Sequence, residues 1–169
     1  MKSIGTKEIR TERLVLRRFS EEDINDVYEN YGSDPLVNRY IDFAPCSTLE
    51  GADEFIRMHV DRYDRDSDFY GWAITLDGVV IGSIGLFDVC HEKESAEIGY
   101  SLGSRWWGKG LATEAAEAVL SFAFEDVELH RVYGSHHHEN IGSGKVMMKA
   151  GMKYEKEDEN LIYYGLERE

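Results

Sequence analysis

The run Arg105-Trp106-Trp107-Gly108-Lys109-Gly110-Leu111-Ala112-Thr113-Glu114 carries the residue types that grip an anion. It follows a strand-like segment, Ala96 to Leu102, and opens a helical pattern from Ala112 to Phe124. Glycines at such a junction let the backbone curl closely around a ligand. The first N–H groups of the helix then point outward, unpaired, at the positive end of its dipole. That combination cradles phosphate or pyrophosphate, and Arg105 and Lys109 add positive charge beside it. Taken alone, the loop also reads as a glycine turn ahead of an ordinary helix. Spacing excludes two nucleotide loops. In the Walker pattern Ser or Thr must follow the lysine, and Gly110 follows Lys109; in the dinucleotide pattern G-x-G-x-x-G, Thr113 stands at the third glycine.

Other side chains could do chemistry. On a strand, Glu97 shares a face with Gly99 and Ser101, small residues that leave room above the sheet. A carboxylate there takes a proton directly or through water; the alternative is a strand-edge acid paired with a surface cation. Asn140 opens the last predicted helix at a capping position, and Ser143 lies one turn further on. His136-His137-His138 resembles a metal cluster at first sight. Neighbours on a strand point to opposite faces, so the run does not ligate one ion, and no metal is expected. Trp106-Trp107 reads as packing at the loop or as an aromatic wall beside a ligand, and nothing in the sequence places a histidine beside Cys90 to make it a nucleophile.

These residues need elements to hold them. Arg13 to Phe19 reads as a first strand, and a helix begins at Ser20, with Asp23 completing a capping box and Gly32 closing it. Asp34-Pro35 starts a short helical turn. A second helix, capped by Ser47 or Thr48, keeps Ala52, Phe55, Ile56, His59, Val60 and Tyr63 at helical spacing. Two strands, 70–76 and 79–87, flank the hairpin signal Asp77-Gly78. After the strand through Tyr100 and the helix from Ala112 come a strand at 130–135, a helix from Ile141 to Ala150 stopped by Gly151, and closing strands at 152–156 and 161–166. The order β-α-α-β-β-β-α-β-α-β-β describes one mixed-sheet α/β domain.

Composition bounds the function. A chain of 169 residues with net charge −14 repels nucleic-acid phosphates and anionic membranes and attracts cations such as amines. The same acidity serves solubility. No apolar run reaches membrane-spanning length, the first residues lack a signal-peptide core, and two cysteines fit free thiols in a reducing cytoplasm.

The pattern Arg-x-x-Gly-x-Gly resembles the pyrophosphate loop of the GNAT superfamily of N-acetyltransferases, and the likeness extends along the chain. Thr11 to Arg17, Glu22-Asp23, Ser33-Asp34-Pro35, Ile81 to Leu86, Glu97 to Tyr100, Trp107 to Ala115, Asn140-x-x-Ser143 and Lys149-x-Gly151 are similar, in order, to the branch containing the ribosomal-protein N-terminal acetyltransferases. The resemblance implies a single GNAT-type α/β domain over residues 1–169. Its mixed, mostly antiparallel sheet is splayed between the fourth and fifth strands and has helices on both faces. It also implies direct attack of a primary amine on the thioester of acetyl-CoA, with no metal.

Site roles follow from the same resemblance. The pantetheine arm would pair with the backbone of Tyr100, Ser101 and Leu102. The pyrophosphate would take N–H bonds from the 107–113 stretch (Trp107, Gly108, Gly110, Leu111 and Ala112), with Arg105 and Lys109 adding charge. Thr113 either donates its hydroxyl or is only an early-turn helix residue. Asn140 would bond the arm through its side chain while its backbone caps the helix. Many relatives carry a tyrosine as general acid where this chain has Met147, so Ser143 becomes the candidate donor to the thiolate; a water chain or no acid at all are the alternatives. Glu97 is the candidate base, and Asp42 and Glu54 are acids placed to line an acceptor pocket. The branch implies a protein N-terminal α-amino group as acceptor. A polyamine, an aminoglycoside-type antibiotic, or a cofactor-binding sensor without catalysis are the other readings, and a homodimer is open. Met148, Met152, Gly142 and Gly144 depart from the branch pattern.

Overall fold

Asp77 and Gly78 adopt φ values of 49° and 80°, the left-handed pair required by a tight two-residue hairpin. They join β3 (Tyr70–Leu76) to β4 (Val79–Cys90). The computed structural model describes residues 1–41 and 43–169. The other strands are β1 (Ile9–Arg10), β2 (Leu14–Arg17), β5 (Ser95–Leu102), β6 (Arg131–His137), β7 (Lys153–Glu157) and β8 (Leu161–Glu167). They form an 8-stranded sheet in the order β1-β2-β3-β4-β5-β6-β8-β7. Every neighbouring pair is antiparallel except β5–β6, which is parallel.

The sheet carries a core on each face. Tyr70, Trp72, Ile74, Ala96 and Ile98 alternate onto one side, where they meet Ala115, Val119 and Phe122 of α4 (Leu111–Glu125) and Met147 of α5 (Ile141–Lys149). Ala73 and Val80 face the opposite side. There they meet Val27 of α1 (Ile24–Val27) and Ala52, Ile56 and Tyr63 of α3 (Leu49–Tyr63). Burying such side chains contributes about 1.5–3 kcal/mol each before chain entropy is counted. Among the described residues no helix is long and apolar enough to cross a membrane.

Several boundaries differ from expectation for physical reasons. The first long strand shortens to Leu14–Arg17, because the Arg13 N–H is taken by the Glu114 carboxylate and Phe19 turns into the α3-side core. The helix after Ser20 is a 3₁₀ turn, one α-turn (α1) and a π-turn over Tyr28–Gly32. At its start the Ser20 N–H donates to Asp23 Oδ2 at 2.8 Å, while Arg17 clamps the same carboxylate at 2.8 and 2.9 Å. Thr48 caps α3 by accepting the Gly51 N–H at 3.0 Å. Asp34 caps α2 (Pro35–Asn38), and its second oxygen accepts the Ser104 N–H at 2.9 Å. That bond fastens the chain ahead of α2 to the loop beyond β5.

The parallel pairing of β5 with β6 covers only Ser95↔Arg131, Ala96↔Val132 and Glu97↔Tyr133. Beyond it the strands part. Ile98 to Leu102 stays paired to β4 on one side, while Gly134 to His137 pairs with β8 on the other. This splay lies in the middle of the sheet and sets the geometry of everything below.

Candidate active site

Glu97 sits at the apex of the splay, the last residue of β5 paired with β6. Its side chain points away from Ala96 and Ile98, towards the α3 face. Ser135 Oγ donates to it at 3.4 Å. Among the described residues it forms no ion pair. Burial, followed by the nearby Asp88 carboxylate, raises its pKa above the ordinary value, against the opposing hydrogen bond from Ser135. Asp88 itself has φ 48° at a bulge where the β4–β5 register shifts between Phe87 and Cys90.

A cavity of about 310 Å³ fills the splay. Glu97, Tyr100, Asn140, Ser143 and Met147 line it, so the structure brings the two catalytic candidates to one space. Residues 140, 143 and 147 share one face of α5, as helical spacing requires. The Asn140 side chain, rather than its backbone alone, caps this helix: Oδ1 accepts the Ser143 N–H at 3.4 Å, leaving Nδ2 to reach a ligand. Met147 is 2% exposed and fills the core under the cavity.

The phenol of Tyr100, assigned only a backbone role from sequence, reaches α5. It donates to the Ser143 carbonyl at 2.7 Å and lies 3.1 Å from Ser143 Oγ. Strand alternation, which sets Tyr100 on the Ala96–Ile98 face beneath α5, is the signal that was available. One lone pair of the Leu102 carbonyl is taken by the Trp107 indole N–H, which donates to it at 2.7 Å. Ser101 points with Gly99 into a second cavity under α3.

The anion loop has the geometry its glycines imply. Gly108 and Gly110 take φ of 74° and 76°, and a Cβ on Gly108 would meet nothing within 4 Å, so that side of the backbone is open. Gly110 is the N-cap of α4 and supplies no side-chain cap, which leaves the first turn (Leu111, Ala112, Thr113) to an external acceptor. Arg105 lies over the Trp106 ring, 5.2 Å from its centroid. Sequence reading missed Arg13. Its Nη1 donates to the Lys109 carbonyl and its Nε to Glu114 Oε1, both at 2.9 Å. Burial works against ionisation of Glu114, but bonds from Thr11 and Arg13 outweigh it and hold the pKa below its ordinary value. A carboxylate in the first turn of α4 is thus balanced by positive charge beside the candidate anion site. No sequence signal links residues so far apart in the chain.

The histidine run divides as strand alternation dictates. His136 faces α5 and is buried, with Nδ1 2.6 Å from the His137 carbonyl. His137 faces the other way and stacks on Tyr40, whose hydroxyl donates to the Glu139 carbonyl at 3.1 Å across the mouth of the cavity. His138 Nε2 meets the Asp158 carbonyl at 2.7 Å. Among the described residues no group of His, Cys, Asp or Glu forms a metal site. Trp106 packs against the α4-side core. Of the acids expected near an acceptor, Asp42 lies outside the described residues, and Glu54 is not among the residues lining either cavity.

A splayed mixed sheet with an anion loop on one side and a carboxylate at its apex defines an acyl-transfer fold. The acetyltransferase (GNAT) domain family matches residues 13–153, and the chain belongs to that family. It is similar to an uncharacterized N-acetyltransferase, p20, of Bacillus licheniformis, with 34% identity covering 90% of this chain and 89% of the relative. A GNAT-family acetyltransferase structure from Bacillus anthracis superposes with TM-score 0.80 at 27% identity, covering 95% of this chain and 98% of that one. RimL, the ribosomal L7/L12 α-N-protein acetyltransferase in complex with coenzyme A, superposes with TM-score 0.81 at 14% identity, covering 96% and 98%. The chain is an acyltransferase of N-acetyltransferase type.

Proposed function

We propose that this chain transfers the acetyl group of acetyl-CoA directly to a primary amine, and that the acceptor is the N-terminal α-amino group of a protein. The observation that carries the reading is Glu97: a half-buried carboxylate without a cationic partner among the described residues, at the apex of the splay and facing the same cavity as Asn140 and Ser143. Support for the acceptor is the ordered resemblance to the ribosomal-protein branch. The two free cysteines, Cys46 and Cys90, accord with action in the cytoplasm.

Acetyl-CoA, when bound, supplies an activated thioester carbonyl. The first-turn N–H groups of Leu111, Ala112 and Thr113, with the backbone of Trp107, Gly108 and Gly110, hold its pyrophosphate, and Arg105 and Lys109 add charge. Asn140 Nδ2 and the open edge of β5 at Tyr100 and Ser101 orient the arm. Glu97 takes the proton that the attacking amine must lose; its raised pKa makes it a stronger base than an exposed carboxylate. The Ser143 hydroxyl delivers a proton to the departing thiolate, and the Met147 thioether has none to give.

Calorimetric titration of the folded protein with acetyl-CoA is the test, followed by coenzyme A release with candidate amines. One-site binding and amine-dependent release are expected. A folded protein that does not bind acetyl-CoA would overturn the reading.

A further inference from the structure

A second cavity, of about 720 Å³, lies between α3 and the sheet and meets the splay cavity at Phe87, Gly99 and Tyr100. Resting on the transfer reading above, we propose that this space holds the body of the acceptor and selects a monoamine carried on an apolar or aromatic group, such as a protein N-terminus with a bulky apolar first residue.

The wall at the junction is aromatic and open. Gly85 and Gly99 face each other across β4 and β5, and the Phe87 ring lies over both, within 3.0 and 3.1 Å of where their Cβ atoms would stand. Half of Phe87 is exposed, although it is the cross-strand neighbour of Glu97. A body attached to an amine at Glu97 and directed into the larger cavity crosses this ring. Met58 of α3, also exposed, and Phe55 continue the apolar wall. His59 belongs to the same surface as a neutral ring: Nδ1 lies 2.8 Å from the Phe55 carbonyl, and burial lowers its pKa to about 4.

The acidic residues here do not form a ladder for a polycation. Asp66 is paired with Arg62 at 2.6 Å, and Asp68 Oδ2 meets the His91 ring at 2.7 Å, a contact that is ionic only when the imidazole is protonated, while Asp68 Oδ1 is buried without a partner. Asp88, which also lines the larger cavity, has no ion pair among the described residues and lies close to Glu97. One amine is matched at the apex, and further ammonium groups of a polyamine would lie against the apolar surface of Phe87, Phe55 and Met58 rather than against carboxylates.

The test is coenzyme A release by the full chain at saturating acetyl-CoA with 2-phenylethylamine, spermidine, and short peptides beginning with Phe or Ser. The apolar amines should exceed spermidine and the Ser peptide in kcat/KM by about tenfold or more. Phe87→Ala should erase that preference through KM, with coenzyme A affinity by calorimetry unchanged. Met58→Glu, on the exposed face of α3, should shift preference towards spermidine. Equal or better turnover of spermidine by the parent protein, or a preference that survives both substitutions, would overturn the inference while leaving the transferase reading intact. Coenzyme binding without release by any amine would instead sink the transferase reading, and this inference with it.

Discussion

The Tyr100 phenol donates to the Ser143 main-chain carbonyl at 2.7 Å and lies 3.1 Å from the Ser143 hydroxyl. A phenol has one proton, so it donates either to that carbonyl or, turned to Oγ, to the hydroxyl, and only the second arrangement leaves the Ser143 proton for a thiolate. Burial pushes the Tyr100 pKa up to about 12, so the phenol stays protonated and holds Ser143 Oγ in one orientation.

If the two groups act as one chain, Ser143→Ala lowers kcat by about 100-fold and Tyr100→Phe by a smaller factor, with acetyl-CoA affinity retained. The double variant should be no slower than Ser143→Ala alone. Losses that simply multiply would show that the two groups act separately.

Because burial and Asp88 raise the Glu97 pKa, folding favours its protonated form. That contribution to stability is complete below the ordinary carboxylate pKa and is lost as pH rises through the raised value. Glu97→Gln should therefore gain on the parent protein as pH rises across this window, read by urea unfolding at about pH 4 and about pH 7. In kinetics, the acid limb of kcat/KM should lie above the ordinary carboxylate range and vanish in Glu97→Gln, whose rate falls by about 100-fold or more.

Two helix-interior glycines of α5 should respond with opposite signs. A Cβ on Gly142 meets nothing, so Gly142→Ala stabilises by up to about 1 kcal/mol. A Cβ on Gly144 would overlap the His136 imidazole, which is anchored at Nδ1 and stacked on Tyr164 with ring centroids 5.6 Å apart. Gly144→Ala then costs about 1–3 kcal/mol, and adding His136→Ala restores part of it. Thermal unfolding of the variants decides; a stabilised Gly144→Ala would refute the packing argument.

Removing the Arg13 side chain takes away the charge that balances Glu114 at the start of α4, leaving only the Thr11 hydroxyl and the residue-13 N–H on that carboxylate, and unties the Lys109 carbonyl. Arg13→Ala should weaken coenzyme A binding by about tenfold, with kcat at saturation little changed. The Arg13→Ala/Glu114→Gln pair should recover most of the affinity.

Much of this molecule is legible in its sequence. Asp77-Gly78, the alternation at 96–102 and the glycines before Leu111 each encode local geometry, so the hairpin, the strand and the loop appear where they were expected. Long-range partnership is not encoded in this way. Nothing near Arg13 marks it as a brace for residues 109 and 114. The Tyr100 hydroxyl finds Ser143 only because α5 lies over the splay. The π-turn at Tyr28–Gly32, where Asn30 Nδ2 donates to the Val80 carbonyl of β4, reads as ordinary helix, since its residue types do not mark a wider turn. Asn140 was expected to cap through its backbone; its side chain does so because Ser143 lies one turn on.

The parting of β5 from β6 after Glu97 gives this sheet an internal edge. Exposed edges invite foreign strands and aggregation, and proteins usually blunt them with charge or cover. Here the edge is recessed: its backbone is reached through a wedge that narrows to Glu97 and Tyr133, with α5 across one side. Another protein strand, with side chains on both faces, would have to enter under α5. A slender tether meets less obstruction there, so the recess favours partners of small girth.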